Sequence, residues 1–186
     1  APKEIRSSFV VMSKKTDINN IKSLLTAKEV GLTEEETEDL LIPRGVLYED
    51  LRSLIDADGV TDVVTSLDGT EYAAVLEDAL PKYENSGMVL ALESALDKYY
   101  LEALISSMHC TSESYEKTDW KTIVYLYKQL EKMEPYSISI KLNRIIAESN
   151  FKSLHDLLPE LITMESMMNE ETEFIYLSTK AHFYAK

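Results

Sequence analysis

Residues 88–110 read MVLALESALDKYYLEALISSMHC, a run with neither glycine nor proline. Its apolar residues, Leu90, Leu92, Ala95, Leu96, Tyr99, Tyr100, Leu104 and Met108, recur at the i, i+3, i+4 spacing of one buried helix face. This helix organises the chain. The residues before it read as one small helical unit, 1–104, and those after it as another, 105–186. The seam helix 88–110 is shared between them.

The rest of the composition agrees with an all-α class. The chain has 186 residues, enough for one domain or two small ones, and is 45% hydrophobic, enough to bury a core. Glycine and proline number only five each, and Leu, Ala, Glu and Lys are common, which favours helix over sheet. Apolar runs are a few residues long, so no direct membrane insertion is expected. The opening residues carry no leader pattern, both ends read as cut, and the chain is expected to be a fragment. The single cysteine, Cys110, cannot make an internal disulfide, which is compatible with the cytosol.

Net charge is −14 and unevenly spread. Residues 1–104 hold 21 Asp and Glu against 10 Lys and Arg, and residues 105–186 hold 12 against 9. A field of that sign repels phosphate backbones, so no nucleic acid is expected as a partner, and basic proteins are attracted. A merely solvated acidic surface is the bland alternative.

Local signals divide the chain into helices. Thr16-Asp17 has the form of an N-cap for INNIKSLLTAKEV, with Gly31 closing it. Residues 2–12 then read as the end of an earlier element or as an incoming helix. Thr33 caps EEETEDLLI, and Glu36 completes the capping-box spacing. Pro43-Arg44-Gly45 breaks that helix. A short helix is expected from Leu47 to Ala57 and another from Val60 to Leu67. Asp68-Gly69-Thr70 opens EYAAVLEDALPKYEN, which Pro81 is expected to kink or divide before Asn85-Ser86-Gly87 stops it. After a loop at TSESYEKTD, Thr118 or Asp119 caps WKTIVYLYKQLEKM. Further helices follow over 136–148, over 151–164 with an interruption at Pro159, and over 170–186. This order of short-turn hairpins matches a tetratricopeptide-like array.

Reactive constellations are scarce. His109, His155 and His182 are scattered, and His109-Cys110 are neighbours that point to different faces of a helix. No phosphate loop, zinc helix, nucleophile elbow or C-x-x-C is present. The acidic run Glu34, Glu35, Glu36, Glu38, Asp39 lacks the glycine and alternation of a calcium loop and reads as a solvated helix face. The aromatic set Tyr99, Tyr100, Trp120, Tyr125, Tyr127 and Tyr136 fits helix packing better than base stacking. Met164, Met167 and Met168 fit core filling or an adaptable contact patch. No enzyme, no cofactor and no metal site is expected.

Two resemblances add to this reading. The first rests on Asp17, Asn20, Ile21, Lys22, Ala27-Lys28, Leu41-Ile42-Pro43, Gly45, Gly69-Thr70, Tyr72, Tyr83-Glu84, Gly87, Leu96-Asp97 and Tyr99. Over about residues 1–104 the chain resembles the C subunit of archaeal A-type rotary ATPases, related to the d subunit of V-type enzymes. The resemblance implies an all-helical, non-enzymatic socket between a membrane rotor ring and a central stalk. It also implies a cytoplasmic location, peripheral to the membrane. That family builds a funnel from several pseudo-repeats, and this chain carries about one.

The second rests on Leu101-Glu102-Ala103, Ile105, His109, Asp119-Trp120, Ile123, Leu126-Tyr127, Leu130, Pro135, Leu142-Asn143-Arg144 and Ala147. Over about residues 99–186 the chain resembles the tetratricopeptide-like extension of extracytoplasmic-function sigma factors. That implies a regulatory or interaction module, with Asn143-Arg144 securing a hairpin. Joined at Tyr100-Leu101-Glu102, the two halves read as a chimera or as a divergent helical-repeat protein.

The expectation is therefore an all-α protein of about eight to ten short helices that binds stalk or rotor-ring subunits. Glu34, Glu35 and Glu38 are its candidate contact residues. The alternatives are a peptide-binding module with a groove at Tyr125, Lys128 and Lys132, and a designed scaffold without a partner.

Overall fold

The computed structural model describes residues 3–167 and 170–184. Among these there are ten α-helices, two short 3-10 segments and no strand. The all-α expectation holds. Compactness divides the chain into two units, 1–103 and 104–186, each described by itself below.

Unit 1 is built on α1 (Lys3–Val30). Thr16-Asp17 does not cap a helix there. The helix passes straight through, and the Thr16 hydroxyl donates to the Met12 carbonyl at 3.1 Å, the back-bond of a helix interior. The preceding FVVMSKK is itself compatible with helix, so the polar pair interrupts nothing. Ile18, Ile21, Leu24 and Leu25 form the buried stripe of α1. They pack with Leu51, Val63, Val64, Leu67, Tyr72, Leu76, Leu92 and Leu96. Each such side chain contributes roughly 1.5–3 kcal/mol by leaving water.

α2 (Glu34–Leu40) follows the turn at Gly31, whose φ of +73° closes α1. α3 is only Tyr48–Arg52, shorter than the expected Leu47–Ala57, with irregular turns after it. α4 is Val60–Ser66, in agreement with the helical reading of that β-branched stretch. α5 (Ala73–Ser86) continues through Pro81, which does not divide it. Gly87, at φ +67°, terminates it and donates to the Tyr83 carbonyl at 2.7 Å.

α6 (Leu90–Thr111) is the seam helix, and the division between the units falls within it. Its unit 1 part runs antiparallel to α1. Glu29 accepts from the Val89 N–H at 3.0 Å, Thr26 donates to Glu93 at 3.0 Å, and Lys22 pairs with Asp97 at 2.8 Å. Next, Lys15 lies over the Tyr100 ring at 4.8 Å. Beside it Lys14 pairs with Glu71, which also accepts from the Tyr99 hydroxyl at 2.6 Å.

In unit 2, α7 (Trp120–Met133) is capped by Asp119, which accepts from the Thr122 N–H at 3.1 Å. α8 (Ile138–Glu148) and α9 (Leu154–Thr163) are capped by Ser137 and Ser153. Pro159 lies inside α9 without interrupting it. A 3-10 turn, Met164–Met167, leads to α10 (Glu170–Tyr184). The core gathers Leu142, Ile145, Leu157, Leu161, Met164, Tyr176 and Phe183. Met164 is therefore a core residue and Met167 is exposed, while Met168 and the side chain of His182 lie outside what is described.

One charged cluster ties three helices of this unit together. Arg144 of α8 is buried and donates to Glu131 of α7 at 2.6 Å, to Glu148 of α8 at 3.0 Å and to Glu160 of α9. Arg144 thus secures the hairpin as expected, whereas its neighbour Asn143 is exposed.

Candidate functional site

The segment joining α2 to α3 is held on α1 by two side chains one turn apart. Asn20 accepts from the Ile42 N–H at 2.8 Å, and its amide donates to the carbonyls of Ile42 at 3.0 Å and Arg44 at 3.3 Å. Asp17 is 2% exposed and accepts from the Leu47 N–H at 3.0 Å. Burial pushes the Asp17 carboxyl above its ordinary range, opposed by the amides of Leu47 and Val46 and the charge of Lys14. These contacts place α2 and α3 relative to α1.

Between them α2 and α3 form an open recess of about 670 Å³ lined by Glu34, Glu35, Glu38, Glu49, Asp56, Arg52, Ser53 and Ile55. Five carboxylates and one guanidinium thus line it. Thr33 sets which glutamates point there. Its N–H and hydroxyl both donate to Glu36 at 2.9 Å, and its oxygen accepts from the Glu36 N–H at 3.3 Å. Those bonds from Thr33 hold the Glu36 carboxyl below its ordinary range and take it out of the acidic run. Glu38 is committed to Arg52, whose Nε donates to it at 2.7 Å. Glu34 and Glu35 remain as the acidic first turn of α2.

The structure therefore brings Glu34, Glu35 and Glu38 together with Glu49 and Asp56, which sequence reasoning alone misses. Glu49 lies in α3 and Asp56 in the irregular turns after it, so no helical spacing in the sequence pairs them. Ser53 lies in the recess but donates to the Asp50 carbonyl at 2.6 Å, so its hydroxyl is occupied as a turn-former.

Tyr125, Lys128 and Lys132 share the solvent face of α7, and Lys121 one turn earlier joins them. Tyr125 is 61% exposed. Lys128 lies 3.5 Å from a carboxylate oxygen of Glu148, and Lys132 donates to Gln129 at 3.2 Å.

His109 packs edge-on against Trp120 with ring centres 5.5 Å apart, while Cys110 is exposed. Among the described residues no group of three or more His, Cys, Asp or Glu could hold a metal ion. Among the same residues no helix is long and apolar enough to cross a membrane.

Comparison with known proteins gives a consistent result for the first two thirds of the chain. Residues 1–127 match the model of the family described as ATP synthase (C/AC39) subunit. The A-type ATP synthase C subunit of Methanobrevibacter smithii is 92% identical over 113 residues, which cover 61% of this chain and 29% of that protein. The corresponding protein of Methanothermobacter thermautotrophicus is 50% identical over 117 residues, 63% of this chain and 30% of that one. That of Pyrococcus abyssi is 36% identical over 103 residues, 55% of this chain and 27% of that one. The chain thus spans less than a third of the length of these relatives. No solved structure matches. The family match runs past the expected boundary at 104 and takes in the start of α7. It lends no support to the sigma-factor resemblance or to a chimera.

Proposed function

The chain belongs to the ATP synthase (C/AC39) subunit family, and on that premise we propose that unit 1 is a non-enzymatic docking unit of an A-type ATP synthase. It binds a central-stalk or rotor-ring protein through the α2–α3 recess. The complex serves ion transport, and the chain sits at its cytoplasmic side, peripheral to the membrane through its partners.

The observation that carries the reading is the recess itself. Its five carboxylates and one guanidinium share the lining with Ile55, a residue of the unit 1 core. A lysine- or arginine-bearing surface on the partner would be steered in by this field and would meet aliphatic carbon at Ile55. The non-enzymatic reading rests on the same residues. The recess presents carboxylates without a histidine, and its one hydroxyl is spent on a turn.

The test uses the full chain with purified stalk subunits and purified rotor ring of the Methanobrevibacter smithii enzyme. Binding to one of them is expected, weakening by about tenfold or more on Glu34→Lys with Glu35→Lys, mainly through slower association at low salt. Neither residue holds the fold together, so circular dichroism should stay unchanged. Absence of binding to both components, or binding indifferent to the reversal, would overturn the proposal.

A further inference from the structure

The solvent face of α7 is basic in a chain whose net charge is acidic. Positions 121, 125, 128 and 132 fall within an arc of roughly 60° on a helix of 3.6 residues per turn. They are Lys121, Tyr125, Lys128 and Lys132, all exposed, and no carboxylate occupies this stripe in a chain of net charge −14. The opposite face, Ile123, Val124, Leu126 and Leu130, is buried. The nearest acid along the helix, Glu131, is turned away to Arg144.

One cation of the stripe shares a buried acceptor with Lys152 of the α8–α9 connection. Lys128 at 3.5 Å and Lys152 at 3.0 Å approach the same oxygen of Glu148. Glu148 is 1% exposed, and its other oxygen accepts from Arg144 at 3.0 Å. A buried carboxylate thus gathers two half-exposed ammonium groups, one of them Lys128, a helical turn from Tyr125. Ordering these lysine side chains in advance removes part of the side-chain entropy that they would otherwise lose when a partner binds. A tyrosine at the centre of the stripe supplies a flat, rigid contact of the kind that carries interface energy.

We infer that this face of α7 is a docking site for an acidic segment of a partner protein. The ladder of lysines complements carboxylates spaced along a polypeptide, and Tyr125 takes an aliphatic residue between them. Nucleic acid and anionic membrane offer the same charge but must approach through the field of the whole acidic chain. An acidic peptide segment is short enough to meet the stripe alone.

The experiment measures fluorescence anisotropy of a labelled eight-residue peptide, glutamates with one central leucine, with the full chain at about 50 mM salt. Saturable binding is expected, lost on raising salt to about 300 mM. Lys121→Glu with Lys132→Glu should weaken it by about tenfold, and Tyr125→Ala by about threefold or more. These substitutions leave the Lys128–Glu148 contact in place, and unchanged helix content would exclude unfolding. No saturable binding, or binding unaffected by the substitutions, would overturn the inference. So would tighter binding to an eight-nucleotide single strand or to phosphatidylserine vesicles. Self-association of the chain that the same substitutions abolish would put a second copy on the stripe, and would overturn it as well.

Discussion

A methyl group on Gly45 would overlap Oδ1 of Asp17, far inside van der Waals contact. Gly45 has φ +108°, so the conformation and the close approach both demand glycine there. Gly45→Ala is expected to destabilise unit 1 by about 2–4 kcal/mol, combining strain with displacement of the acceptor of the Leu47 N–H. The clash needs both partners. Asp17→Ala with Gly45→Ala should therefore cost less than the sum of the single changes, as read from urea midpoints. Strict additivity would show that the two residues do not oppose one another.

Asn20 uses both ends of its amide on the same loop. Asn20→Ala should cost about 1–3 kcal/mol, because the Ile42 N–H and two carbonyls lose their partner. Asn20→Asp keeps the acceptor and loses the donor, so it should recover protection of the Ile42 amide without restoring stability. Hydrogen exchange at Ile42 and Leu47 separates these outcomes. Protection at Leu47 that survives every change at Asn20 would mean that Asp17 alone fixes the loop.

The Arg144 cluster predicts acid lability in unit 2. Burial pushes Glu148 up, but Lys152, Arg144 and Lys128 together outweigh it and leave its carboxyl below the ordinary value of 4.5. Its stabilising contribution is therefore complete above the unfolded value and is lost as pH falls through the lower folded value. Amide protection in α8 should accordingly fall below about pH 4.5, and Glu148→Gln should flatten that dependence. Arg144→Met should cost about 3–5 kcal/mol at neutral pH by stranding buried carboxylate. Arg144→Lys should rescue little, since a compact ammonium cannot serve carboxylates on three helices. A lysine variant as stable as the parent would remove the cluster's structural role.

Pro81 sits inside α5, where it lacks an N–H to donate to the turn before it. Pro81→Ala is expected to raise stability by about 1–3 kcal/mol, measured as a higher urea midpoint. A fall in stability would mean that the ring's own contacts outweigh the missing bond.

What is legible in the chain is local chemistry. The Thr33–Glu36 capping box and the Gly87 stop depend on residues a few positions apart, and both form as expected. Asp17 misleads because a Thr-Asp pair before an apolar stripe is the signature of a cap, and only the tertiary partner reveals otherwise. That partner, Leu47, is thirty residues away. Pro81 and Pro159 mislead for a related reason: core packing on both sides of a proline can outweigh one missing bond. The acidic candidates are visible as a run, but which of them face the recess is not. Thr33 withdraws Glu36, and Glu49 and Asp56 arrive from a separate segment.

The two anchors on α1 act as a gauge for length. Asp17 and Asn20 are separated by three residues of helix, a rise of about 4.5 Å. The loop that crosses them must present the amide of residue 42 to one and that of residue 47 to the other. Adding or deleting one residue between 42 and 47 would leave a buried carboxylate facing the wrong group. Most surface loops absorb insertions cheaply, but this one is metered by the helix beneath it. In homologous chains that keep Asp17, Asn20 and Gly45, the alignment should therefore run without gaps from 42 to 47, however freely the neighbouring turns vary.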